Sequence, residues 1–200
     1  MADLKIVVTP VGRVDTKEVE SALTRVAKVL NSPVELRDNA PLTRTAEDPA
    51  RGQFRSAPLL AELRRGLPNL RIRVRIGADD ETVATVTGSP DAVIFVTDVD
   101  LFTPHAEGVL GDLDVAHKSA LLSVRRLREA FYRRKSDAAK QRSRLVKQIL
   151  RVIGLLRGLS DCRDPGCSMS ITQVVTDIDR KKERYCAPCW RHLTTGAFHV

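Results

Sequence analysis

Four cysteines, all within the last 39 residues of a 200-residue chain, are the clearest chemistry in this sequence. Cys162 and Cys167 stand five apart, Cys186 and Cys189 three apart, and eighteen residues separate the pairs. Each short-range pair can set two thiolates on one face of a turn, and the two pairs close a tetrahedral four-thiolate zinc site once the intervening segment folds back. Such a site has no open coordination position, so the expected metal is one structural zinc; iron is the alternative on ligand type alone. The other potential ligands do not assemble. His105, His117, His192 and His199 share no helical face and show no ligand spacing, with His117 reserved because it lies between two strand-like runs. Ser123 has no local base, Asp98 and Asp100 are too close in an extended run to act as an acid and base pair, and there is no glycine-rich phosphate loop.

Charge is the second feature. Thirteen basic and two acidic residues lie between Lys118 and Arg157, a local charge of +11, so the rest of the chain, whose total is +8, sums to −3. Helical spacing places Lys140, Arg144, Lys147 and Arg151 within an arc of about 60°, opposite an apolar stripe of Leu145, Val146, Ile149, Leu150, Ile153 and Leu156. The bland reading of this basic stripe is a solvated helix face; the functional one is an anion or nucleic-acid contact. Arginine outnumbers lysine 24 to 9, which suits bidentate phosphate contacts, but only 4% of residues are aromatic, which leaves few rings for base stacking.

The elements that must position these groups follow from periodicity. Residues 4–9 read as a buried strand; a helix capped by Asp15 follows and stops at Pro33; residues 34–36 form a second short strand. Residues 37–55 are rich in Pro, Asp, Thr and Arg and read as exposed irregular chain, and 58–65 as a short helix. Residues 71–76 alternate as a half-exposed strand, and 77–90 read as a loop or weak hairpin. The continuous apolar run 92–97 suits a central strand covered on both faces, with further strands at 109–115 and 120–124 and a long helix over 136–159. No stretch approaches a membrane span and the start carries no export signal, so a cytoplasmic protein with reduced thiols and no membrane partner is expected.

The runs Val96-Thr97-Asp98-Val99-Asp100-Leu101-Phe102, Val109-Leu110-Gly111-Asp112-Leu113 and Leu122-Ser123-Val124-Arg125-Arg126-Leu127 resemble the archaemetzincins, a branch of the metzincin zinc peptidases. So does Cys162-x4-Cys167-x-Met169 with its downstream Cys186-x2-Cys189, and the resemblance spans residues 92–190. In that family the helix before the first cysteine carries His-Glu-x-x-His-x-x-Gly-x-x-His, three zinc ligands and a general base. Counting back from Cys162, this sequence has Arg151, Val152, Leu155, Gly158 and Asp161 at those places. Only the glycine matches. A guanidinium repels a cation, leucine has no lone pair and valine cannot take a proton, although Asp161 offers a carboxylate. Met169 resembles the methionine that packs beneath the catalytic metal in metzincins and reads here as core packing.

The resemblance implies a metzincin-like α/β fold: a twisted mixed β-sheet packed against two long helices over residues 1–159, then a small four-cysteine zinc subdomain over 160–200. The expected function is a pseudopeptidase that has lost catalysis at Arg151, Val152, Leu155 and Asp161 and uses the former cleft to bind an extended peptide or protein. One alternative is a polyanion or nucleic-acid binder using Lys140, Arg144, Lys147 and Arg151. The other is an active zinc metallopeptidase with an unconventional site.

Overall fold

The first apolar run becomes β1 (Ile6–Val11), every residue of it buried. A computed structural model describes residues 4–66, 72–76 (backbone only) and 90–195. Helix α1 (Thr16–Leu30) starts at Asp15, whose carboxylate accepts the Lys17 and Glu18 backbone N–H groups, and ends at Asn31 in the left-handed conformation (φ 49°). There follow β2 (Val34–Arg37), β3 (Glu47–Asp48), β4 (Gln53–Arg55), α2 (Ser56–Gly66), β5 (Ile72–Ile76), β6 (Ala92–Thr97) and β7 (Leu101–Thr103). The chain continues through β8 (Ala106–Val109), β9 (Gly111–Asp114) and β10 (Ser119–Ser123), two 3-10 turns at Arg125–Leu127 and Glu129–Tyr132, and helices α3 (Ala138–Leu156), α4 (Val175–Arg180) and α5 (Ala187–Thr195).

Six strands form one mixed sheet in the order β5-β2-β1-β6-β10-β9. The four inner strands β2, β1, β6 and β10 are parallel; β5 and β9 run antiparallel at the two edges. Alternation along the inner strands splits the core in two. Ile6, Val8, Ile94, Val96, Ala120 and Leu122 face α1 and α3, while Val11, Val93, Phe95 and Leu121 face α2. Both faces being covered is why β6 reads as an unbroken apolar run. The expected fold class is therefore found, and the two long helices pack side by side on one face.

Three local expectations differ. Residues 37–55 are not wholly irregular, because β3 and β4 join β7 and β8 in a second, four-stranded sheet of order β3-β4-β7-β8. Its strands are two to four residues long and the Phe54 N–H reaches the Asp100 carbonyl at 2.9 Å, so neither periodicity nor local spacing announces it. The strand expected over 109–115 is broken at Leu110, with Val109 in the small sheet and Gly111 in the large one. The expectations for the side chains of 71–76 and for 77–89 lie outside the described residues. Residues beyond 160 join the main core: Cys167, Met169, Val175, Ile178, Tyr185 and Leu193 pack in the same cluster as α1 and α3.

Candidate functional site

Helix α3 delivers the chain to the cysteines. Gly158 (φ 83°) turns it out of the helix, and Cys162 then bridges to Ser170 across a tight loop that carries Cys167. Cys186 precedes α5 and Cys189 lies in its first turn. All four sulfurs are free thiols within 4.8 Å of one another, and Cys162 Sγ to Cys186 Sγ is 3.6 Å. A tetrahedral zinc with sulfur at about 2.3 Å sets its ligands about 3.8 Å apart, so the spacing fits zinc and is far from the ~2.05 Å of a disulfide. Backbone N–H groups of Asp164 and Met169 donate to Cys162 and Cys167 at 3.4 Å, and that of Cys186 donates to Cys167 at 3.3 Å. Burial pushes the Cys167 thiol up, and burial with neighbouring thiols pushes Cys189 well up. A divalent cation relieves this crowding by taking thiolates as ligands.

The helix positions upstream are tied to the loop that follows Cys167. Arg151, side chain 15% exposed, sends Nη2 to Asp161 Oδ1 at 2.5 Å and Nη1 to the carbonyls of Met169 and Ser170 at 2.8 and 3.0 Å. An ion pair thus joins the first and last of the positions where the resembled family has histidines. Lys181, only 3% exposed, donates from the same side to the Ser168 and Ser170 carbonyls and to the Thr172 hydroxyl. Burial, and next the Arg151 guanidinium, lower the Lys181 ammonium to about 8. With two cations bordering the place, no imidazole, and Val152 and Leu155 beside them, these residues do not fit a catalytic zinc. Among the described residues the four cysteines are the only group of three or more ligand-type side chains arranged to hold a metal. Met169 is fully buried beneath α3, and a Cβ on Gly154 would stand 2.3 Å from its Sδ, so Gly154 lets helix and loop touch.

Beside Arg151 runs a groove of about 300 Å³, walled by Gly111 and Leu113 of the edge strand β9, by Gln148 and Leu155 of α3, and by Thr172 and Gln173. Ile171 and Val174 stand at 55% and 56% exposure in the segment that carries Thr172 and Gln173. Sequence reasoning did not single out Thr172 or Gln173; two adjacent polar residues flanked by the apolar Ile171 and Val174 carry no signal that marks a groove.

The basic stripe is covered over most of its length rather than solvated. Arg144 is fully buried; its Nε and Nη2 hold both Asp179 oxygens at 2.7 Å, Nη2 lies 2.6 Å from Glu129 Oε1, and Nη1 donates to the Leu127 carbonyl at 2.7 Å. Lys140 lies 3.4 Å from Glu129 and 3.5 Å from Asp179, and Lys147 is buried, its ammonium pushed down by desolvation. The stripe is covered because α4 and the 3-10 turn at Glu129 pack over it, and its charge is met by Glu129 and Asp179. Burial raises both carboxyls, but hydrogen bonds and charge from Arg144, with Lys140, outweigh it and leave both below the usual range. Of the expected anion site of Lys140, Arg144, Lys147 and Arg151, none is left as an open cation. His117 pairs with Asp114 at 2.8 Å in the β9–β10 turn, and Asp100 is held bidentately by Arg126, so neither joins the groove.

Comparison with known proteins places these features. Residues 16–195 match the profile of peptidase family M54. An archaemetzincin from Methanocaldococcus jannaschii is 32% identical over 110 residues, 55% of this chain and 62% of that protein. One from Saccharolobus solfataricus is 35% identical over 99 residues, 50% of this chain and 53% of that protein. The matches therefore span roughly half to three fifths of these curated relatives. The crystal structure of a zinc-dependent peptidase from Methanocorpusculum labreanum superposes with a TM-score of 0.78 at 25% identity, over 94% of this chain and 99% of that one. Archaemetzincin from Methanopyrus kandleri superposes with a TM-score of 0.72 at 24% identity, over 98% and 96%, and shows the same fold. With the profile running through α1, α3 and all four cysteines, the chain belongs to peptidase family M54, the archaemetzincins.

Proposed function

We propose that this chain is a non-catalytic member of its family, a pseudopeptidase that keeps one structural zinc and a peptide-binding groove. The observation that carries the reading is the Arg151–Asp161 ion pair across the positions of the first and last expected histidines. A catalytic zinc supplies Lewis acidity and a bound water of lowered pKa. Here Arg151 instead ties α3 to the loop after Cys167, and Val152 has no proton to move. Cys162, Cys167, Cys186 and Cys189 hold the structural zinc, which staples residues 160–200 onto the body formed by 1–159. Thiolates kept reduced in this way suit the cytoplasm, and no described helix is long and apolar enough to cross a membrane.

The groove side of the reading rests on β9. It is an antiparallel edge strand beside α3, the arrangement in which an extended peptide adds as a further strand while its side chains alternate into the groove. The decisive experiment is metal analysis of purified protein with a peptidase assay. One zinc per chain and no chelator-sensitive cleavage are expected; two zincs per chain with chelator-sensitive cleavage would falsify the proposal.

A further inference from the structure

A second cavity, of about 800 Å³, shares no residue with the groove beside α3. It opens where the sheet reverses its winding. From β1 the chain goes through α1 to β2 on one side, whereas from β6 it goes on to β10 on the other, and β1 and β6 are neighbours. In open sheets with parallel strands, the crevice outside the carboxyl ends of two such strands is where ligands bind. The cavity is lined there by Gly12 and Arg13, just past β1, and by Asp98 and Val99, just past β6.

Its chemistry is arginine from four separate segments: Arg13, Arg44, Arg51 and Arg125, all exposed. Arg44 has Glu47 at 3.5 Å; among the described residues Arg13, Arg51 and Arg125 have no carboxylate partner. Arg51 stacks on Phe102 at 4.5 Å, and its Nε donates to Gln53, which holds the fork in place. Of the acidic lining residues, Asp100 is taken up by Arg126 and by Gln53, and Glu47 by Arg44; Asp98 lines the same cavity as the three remaining arginines. The wall is fixed rather than loose. Gly12 turns at φ 76°, its N–H donates to Ala40 and its carbonyl accepts from Asn39, and a Cβ there would sit 3.2 Å from Leu42. Phe54 and Phe131 add an apolar side.

We propose that this crevice is a binding site for a phosphate-bearing small molecule of nucleotide size. Three guanidinium forks without a carboxylate partner, lining the cavity from three segments, suit a group with three charged oxygens, and the volume lies within the range of small-molecule sites. The phosphate sits among Arg13, Arg51 and Arg125, and Asp98 takes a hydroxyl of the organic part.

The test is calorimetric titration of the intact protein with inorganic pyrophosphate at low ionic strength. One pyrophosphate per chain is expected, binding more tightly than citrate used as a carboxylate control. Arg13→Ala with Arg125→Ala should weaken it about tenfold or more, a loss of the size expected for charged hydrogen bonds. Lys135→Ala with Arg163→Ala removes the same charge from exposed positions outside the cavity and should leave affinity within about twofold, since distant surface charges are largely screened. Absence of binding, equal weakening by both double variants, or tighter binding of citrate each overturns the proposal.

Discussion

At Arg144 a cation that helical periodicity assigns to the surface is fully buried between Asp179, Glu129 and the Leu127 carbonyl. Removing one partner of a buried ion pair leaves an uncompensated charge, so Arg144→Met should cost about 3–5 kcal/mol in urea unfolding. The pH dependence has a definite sign. Glu129 and Asp179 are held below their ordinary values of 4.5 and 3.8, so their contribution is complete above those values and is lost as pH falls through the lowered ones. The stability gap between wild type and Arg144→Met should therefore start to narrow as pH falls below those ordinary values and close only once pH has passed through the lowered ones; a gap constant from pH 6 to pH 2.5 would contradict the assignment. None of this was legible locally, because Asp179 lies 35 residues away on a helix whose packing only the tertiary structure decides. That Arg151, Leu155 and Asp161 stand where the resemblance implies histidines was legible, since it depends on spacing from Cys162 alone.

The long elements were readable because each signals itself twice. Helices α1 and α3 carry both a 3.6-residue apolar stripe and an aspartate cap, Asp15 and Asp137. The short strands β3, β4 and β7 carry neither, since two or three residues cannot display a period and their pairing comes from distant chain. Two glycines expose how closely elements approach. At Gly154 a side chain would run into Met169 Sδ, so Gly154→Val should destabilise by about 1–3 kcal/mol through overpacking, even though glycine is a poor helix former. At Gly111 a Cβ would lie 2.3 Å from the Leu121 carbonyl oxygen, within the β9–β10 pairing. Gly111→Val should loosen that edge and speed amide hydrogen exchange in Gly111–Asp114 while β1 and β6 keep their protection.

For the whole molecule, the question is whether the four-cysteine cluster is a detachable clip or part of one cooperative unit. Cys167 is buried in the cluster that also holds Leu23 of α1, Ile94 of β6 and Ile149 of α3, and Cys162, Cys186 and Cys189 pack against it. Tyr185, next to Cys186, donates its hydroxyl to the Leu150 carbonyl of α3 at 2.5 Å. On the proposed reading, zinc binding at this cluster is folding free energy for the core it packs into rather than for a loop, because a metal held only by the native state stabilises all that folds with it. Chelation should lower the melting temperature as a single transition seen equally by far-ultraviolet circular dichroism, which reports the helices, and by the fluorescence of Trp190 beside the cluster. Cys167→Ser should do the same in the presence of zinc, since a hydroxyl is a poor fourth ligand and the position has no exposure to water. Two separated transitions, with Trp190 changing well before the helical signal, would show instead that residues 160–195 melt alone and that the body stands without its metal.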